Sequence, residues 1–212
     1  MKLMGFMLMS KQTIWNYLKT RTSLSDEAIA GIMGNFEAES NCESCRLQGD
    51  FLANRQKSKD YANAVNTGVK SVEAASVDSL GWGLAQWTFH TRKSNLFWSC
   101  LGAGKGIEDE QAQLDFFLAE MQSEYVTTWR NLLNCNSIYN AASLVCCDYE
   151  RPAVKNIQAR ADYGQTIYNQ FHGKDTTPEP EPEPSPSPVP VDDRTAKIID
   201  LLEQIISLLK EK

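Results

Sequence analysis

Apolar side chains recur at helical spacing along most of the first 174 residues, and strict two-residue alternation is nearly absent. Ile14, Trp15, Tyr17 and Leu18 mark an early amphipathic helix. A second helix starts after Ser25, a good N-cap that Asp26 and Glu27 follow, and carries Ile29, Ile32, Met33 and Phe36. From Asn41 to Leu80 the pattern is weak and polar, broken by Gly49 and Gly68, which predicts loops with one short helix. Gly81-Trp82-Gly83 is a turn signal. Further helices are expected over 91–102, 108–131, 138–148 and 153–171, with Ile107, Leu114, Phe117, Leu118 and Met121 as the stripe of the long one. The pattern therefore predicts a mainly α domain over residues 1–174, with a small β element at most.

The pattern then stops. Residues 175–191 form a Pro/Glu/Ser-rich stretch holding seven of the eight prolines, from Pro178 to Pro190. Such a segment cannot build a core and is expected to run as an extended linker, at about 3.1 Å per residue. Residues 192–212 are amphipathic again, with Asp192 and Asp193 at the start and Lys210 and Lys212 at the end, matching a helix dipole. Ile198, Leu201, Ile205 and Leu208 form one heptad seam, and Leu202 and Leu209 widen it. A wide Ile/Leu stripe favours three or four strands, so residues 195–210 are expected to form a coiled coil joining a homo-trimer or homo-tetramer. Docking to another protein and contact with a membrane surface are the other uses of such a helix.

Charge narrows the choice of partner. The formal net charge is −6, which argues against a nucleic-acid surface and against simple electrostatic capture by an anionic cell wall. The apolar run from Met1 to Met9 is too short for a secretory signal, and no stretch is long enough to cross a bilayer. Synthesis in a cytoplasm without stable membrane insertion is the expectation. Of the six cysteines, Cys42, Cys45, Cys100, Cys135, Cys146 and Cys147, the Cys42-x-x-Cys45 pair could form half of a zinc site, but Cys146-Cys147 lacks the two-residue spacer and no histidine lies near either pair, so thiols and no metal are expected.

Two stretches carry candidate chemistry. In Gly31–Ser40, Glu39 lies seven residues beyond Ile32 and three beyond Phe36, on the edge of the apolar face. Glu37 falls well over about 100° away and is expected to face water. A carboxyl held against apolar side chains has its charged form disfavoured, as a general acid needs. The same position also suits a surface residue at a fraying helix end. In Gly81–Thr88, Gln86 offers a donor and an acceptor to sugar hydroxyls, and Trp82 and Trp87 offer flat faces to sugar rings, or else belong to the core.

Together Gly31-Ile-Met-Gly-Asn-Phe-Glu-Ala-Glu-Ser40 and Gly81-Trp-Gly-Leu-Ala-Gln-Trp-Thr88 resemble the phage tail-type lysozyme family. Ile14–Leu18 resembles its opening helix, Gln111–Glu120 its central helix, and Tyr149-Glu150-Arg151-Pro152 with Arg160 its closing helix. The resemblance implies a lysozyme-like α+β fold, with a small β element and a cleft for a peptidoglycan glycan strand. It implies no cofactor. It maps the catalytic acid onto Glu39 and the cleft wall onto Gln86 and Trp87. Trp82 and Thr88 of the same motif are further candidate substrate contacts, and His90 just after it either lines the cleft or has an ordinary surface role. Glu150 and Arg151 map onto a buried structural pair. The chain departs from the family between the two motifs, where Asn41-Cys42-Glu43-Ser44-Cys45 leads into a loop without proline. Asp50 is the first candidate there for a second carboxylate, ahead of Asp60 and Asp78.

The activity implied is hydrolysis of the β-1,4 bond between N-acetylmuramic acid and N-acetylglucosamine, as in an endolysin that reaches the wall through a holin-type pore. A lytic transglycosylase using the same acid and a non-catalytic tail or wall-binding component are the alternatives. A peptide-cutting enzyme is disfavoured because His90 and His172, the only histidines, form no evident pair with a cysteine.

Overall fold

The computed structural model describes residues 2–174. The linker expected over 175–191, and the helix over 192–212 with its oligomer seam, lie outside the described residues. Those described form a mainly helical domain. In chain order the helices are α1 (Lys2–Arg21), α2 (Asp26–Ser40), α3 (Gln56–Asn66), α4 (Val72–Ser76), α5 (His90–Gly102), α6 (Glu110–Ser123), α7 (Val126–Leu133), α8 (Ile138–Leu144) and α9 (Ile157–Phe171). A π-helical turn, Val145–Glu150, continues α8.

Helix α2 is the centre. Ser25 caps it, with its hydroxyl accepting from the Ala28 amide at 3.1 Å. Every residue from Ala28 to Phe36 is buried. Removing Ile29, Ile32, Met33 and Phe36 from water is worth about 1.5–3 kcal/mol each. The helix packs chiefly against α9 and α8, and less extensively against α1. Small residues permit that approach. A Cβ on Gly34 would lie 2.2 Å from the Arg160 carbonyl oxygen, and one on Gly164 would lie 2.7 Å from that of Ala30. Glu37 does not face water as expected. Its carboxylate meets Lys11 of α1 at 2.7 Å and is mostly buried.

Several boundaries differ from the sequence pattern. The helix expected over 108–131 is two, because the Glu124 and Tyr125 amides both bond the Glu120 carbonyl and end α6 there. The polar stretch before Leu80 holds two helices rather than one. Helix α3 buries only Ser58, Tyr61, Ala62 and Val65, too narrow a stripe to stand out, and Ser71 caps α4. Helix α9 starts at Ile157, where the Asn156 side chain accepts from the Ala159 amide. The small β element reduces to two isolated antiparallel bridges, Leu47 with Trp82 and Trp82 with Trp87.

Candidate active site

The end of α2 and the loop Gly81–Thr88 are fastened together. Ser40 Oγ lies 2.9 Å from both the Phe36 and Leu84 carbonyl oxygens. Trp82 and Trp87 exchange backbone hydrogen bonds at 3.2 and 3.0 Å, closing a tight hairpin. The buried Gln113 carboxamide braces it. Its oxygen accepts from the Leu84 amide at 3.0 Å, and its nitrogen donates to the Ser44 and Ile107 carbonyls. Gly83 sits at φ +74°, and a Cβ there would lie 2.4 Å from that carboxamide oxygen, so only glycine fits.

Two depressions, of about 590 and 630 Å³, open on either side of the hairpin. They share Ala85, Gln86, Thr88 and Glu150 and so form one groove. The first contains Glu39, Arg46 and Phe51, and the second Trp87, Phe89 and His90. Gln86, at φ +48°, stands between them and donates to the Arg46 and Gly83 carbonyls at 3.1 and 2.9 Å.

Three charged groups meet at the groove. Arg160 Nη2 donates to Glu39 Oε1 at 2.6 Å, and Arg160 Nη1 donates to Glu150 Oε2 at 2.6 Å. Nη1 also reaches Asn35 Oδ1 at 3.0 Å, and the Asn35 amide is bonded in turn to the Gly31 and Ala142 carbonyls. One guanidinium thus serves two carboxyls. Glu150 is the deeper, with 3% of its side chain exposed against 20% for Glu39. Burial, and then the charge on Glu39, push the Glu150 carboxyl well above the usual carboxylate range, against the pull of Arg160. Glu150 Oε1 is buried without a hydrogen-bond partner. The π turn carries Tyr149 and Glu150, adjacent in sequence, both into the interior.

A second buried network lies beside it. Arg92 grips Glu120 with two hydrogen bonds of 2.8 and 2.7 Å. The Tyr149 hydroxyl donates to Glu120 at 2.6 Å, and the Trp87 indole N–H points at both.

The end of a buried helix thus brings a carboxyl to the wall of a groove. The family model described as phage tail lysozyme matches residues 10–171. The chain belongs to that family. No curated protein matches it. The mainly α domain fits the lysozyme-like fold, and membership makes the protein a lysozyme-like peptidoglycan hydrolase.

Against the positions expected of a phage tail lysozyme, Glu39, Gln86, Thr88 and His90 line the groove, the last two exposed. The environment of Glu39 differs from the one expected, because its neighbour is the Arg160 guanidinium rather than an apolar wall. Trp82 is corrected. It is fully buried, stacked on Tyr61 at 5.2 Å, with its N–H on the Ile107 carbonyl, so its face is closed to a sugar. Trp87 borders the groove but is 2% exposed and is fixed by Glu120 and Tyr149. The exposed aromatics are instead Phe51 and Phe89, one in each depression, at 85% and 63%.

Asp50 is corrected as well. It is fully buried, does not line the groove, and accepts from the Ser58 amide and hydroxyl at 2.9 and 2.7 Å. Burial lifts its carboxyl, but those bonds outweigh that and leave it below the usual aspartate value. It organises the loop into α3. Asp60 is exposed and bonded to Gln56, and Asp78 is held by Lys70 and Lys93. The pair expected of Glu150 and Arg151 is instead Glu150 with Arg160, while Arg151 is exposed and donates to the Asp148 carbonyl. Gln113, Arg92 and Glu120 have roles that sequence reasoning missed. A signal was present for Gln113 and Glu120, which fall within the stretch resembling the central helix.

Proposed function

We propose that the protein is a muramidase that cleaves the β-1,4 bond between N-acetylmuramic acid and N-acetylglucosamine, with Glu39 as general acid. The observation that carries this reading is the position of Glu39 on the wall of a groove that Gln86 divides. The glycan strand runs along that groove. Gln86 and Thr88 bond its hydroxyl and acetamido groups, His90 contacts it further along, and Phe51 and Phe89 pack against ring faces. Glu39 gives its proton to the oxygen of the leaving sugar as the bond to the anomeric carbon breaks. Water adds to that carbon.

The protein acts as an endolysin, made in the host cytoplasm and reaching the wall through a holin-type pore. Residues 195–210 join it into a trimer or tetramer, which raises avidity for a repeating wall. Deleting 191–212 then yields a monomer by light scattering, and an unchanged mass contradicts the oligomer.

Mass spectrometry of fragments released from purified peptidoglycan tests the reaction. Hydrolysis leaves N-acetylmuramic acid at the reducing end. An anhydro product, one water lighter, identifies a transglycosylase, and the absence of fragments identifies a wall-binding component.

A further inference from the structure

We propose that Glu150 is a positioning residue for this reaction: by sharing the Arg160 guanidinium it leaves Glu39 free to carry the proton it donates. The inference rests on the reading of Glu39 as the acid and adds a second carboxyl that sequence reasoning assigned to structure.

The geometry is a three-member chain. Arg160 points one nitrogen at Glu39 and the other at Glu150, each at 2.6 Å. With both carboxyls ionised the cluster carries one net negative charge in a largely buried place. With one proton on the pair it is neutral. The proton belongs to the pair, and two arrangements share it. In one it sits on Glu150, with Glu39 ionised against Arg160. In the other it sits on Glu39, and Glu150 takes the guanidinium. Only the second arms the acid. Were Glu150 absent, Arg160 would keep only the neutral Asn35 amide oxygen beside Glu39, and no second carboxyl would compete for its charge.

Burial and the charge of Glu39 drive Glu150 toward its neutral form, which matches a shared proton. Arg92 of α5 also faces Glu150 but is bound to Glu120 of α6. Thr128 of α7 is bonded to Asp148, and the Cys146 thiol on the same turn is pushed up by burial. Glu150 Oε1, buried and without a partner, is where a proton would sit.

The step balances. The Glu39 proton moves to the leaving oxygen as the glycosidic bond breaks. Water then forms its bond to the anomeric carbon, and the proton it loses returns to the pair. Meanwhile the cluster carries a full negative charge beside an oxocarbenium-like centre.

The test compares pH–activity profiles on purified peptidoglycan for the wild type and Glu150→Gln, with thermal unfolding as a check on folding. Expected is a loss of activity near neutral pH that is recovered in acid, with the basic limb moved down by about one pH unit or more. A profile of unchanged shape and lower height overturns the proposal. Carbon-13 NMR of the glutamate carboxyls in the wild type gives an independent readout. One carboxyl is expected to stay protonated at about pH 6.5 and to titrate lower in Glu39→Gln. Full ionisation of every glutamate at that pH overturns it too. Full activity of Glu39→Gln would instead remove the acid assignment itself, which separates the two failures.

Discussion

Arg160, on α9, and Glu39, at the end of α2, form a 2.6 Å ion pair between residues 121 positions apart. The pair ties the last helix of the domain to the candidate acid, and the same guanidinium reaches Glu150. Removing it leaves two carboxyls facing each other without their shared cation. Arg160→Ala is expected to destabilise the fold by about 3–5 kcal/mol, the usual cost of breaking a buried pair from one side. Urea unfolding checks this, and a change under about 1 kcal/mol would mean the pair is solvated.

The closeness of α2 and α9 sets where Arg160 stands. A methyl group at Gly34 runs into the Arg160 backbone, which cannot move without shifting α9. Gly34→Ala is therefore expected to cost about 1–3 kcal/mol by overpacking and to lower wall-degrading activity with it. Thermal unfolding and a turbidity assay on the same preparation test the coupling. Loss of stability with full activity would show that the helix spacing does not govern the site.

Phe51 and Trp82 separate two kinds of aromatic. Phe51 is exposed in the groove with Arg46 over its ring, whereas Trp82 is closed in the core against Tyr61 and Phe97. Phe51→Ala is expected to raise KM several-fold with stability nearly unchanged. Trp82→Phe is expected to keep KM and to lower stability by about 1 kcal/mol or more, through the lost indole hydrogen bond and volume. Steady-state kinetics on a soluble glycan fragment distinguishes them.

Asp78 predicts a pH dependence of stability separate from the Glu39–Arg160–Glu150 cluster. Burial lifts its carboxyl, but hydrogen bonds from Lys70 and Lys93 outweigh that and hold it at about 2. A depressed carboxyl stabilises the fold above the ordinary aspartate value of about 3.9, and that contribution is lost as pH falls through about 2. The wild-type Tm should therefore fall across that window. Asp78→Asn should have a lower Tm at neutral pH and a shallower fall in acid.

Much of this was legible in the sequence for definite reasons. Helix α2 shows through because its apolar positions are dense and Ser25 marks its start. Glu39 stands apart from Glu37 because three residues beyond Phe36 places it toward a neighbouring element, although Glu37 also finds one in Lys11. Whether the tryptophans serve the core or the groove was not legible, because residue type does not tell which face of a ring is open. Trp82 and Trp87 look toward the interior across a hairpin that no alternation announces. Asp50 looked available because its partner, Ser58, carries no signal at a distance of eight residues. Glu150 was assigned to structure by the resemblance alone, and nothing in the residue pattern announces the π turn that brings it to the groove.

The most direct measurement is the rate at which Glu39→Gln clears a suspension of purified cell walls, relative to wild type at matched folded concentration. With the carboxyl replaced by an amide the side chain keeps its size but has no acidic proton to give. The expected result is a loss of at least about 100-fold with unfolding behaviour close to wild type. Clearing at the wild-type rate would contradict the account at its root.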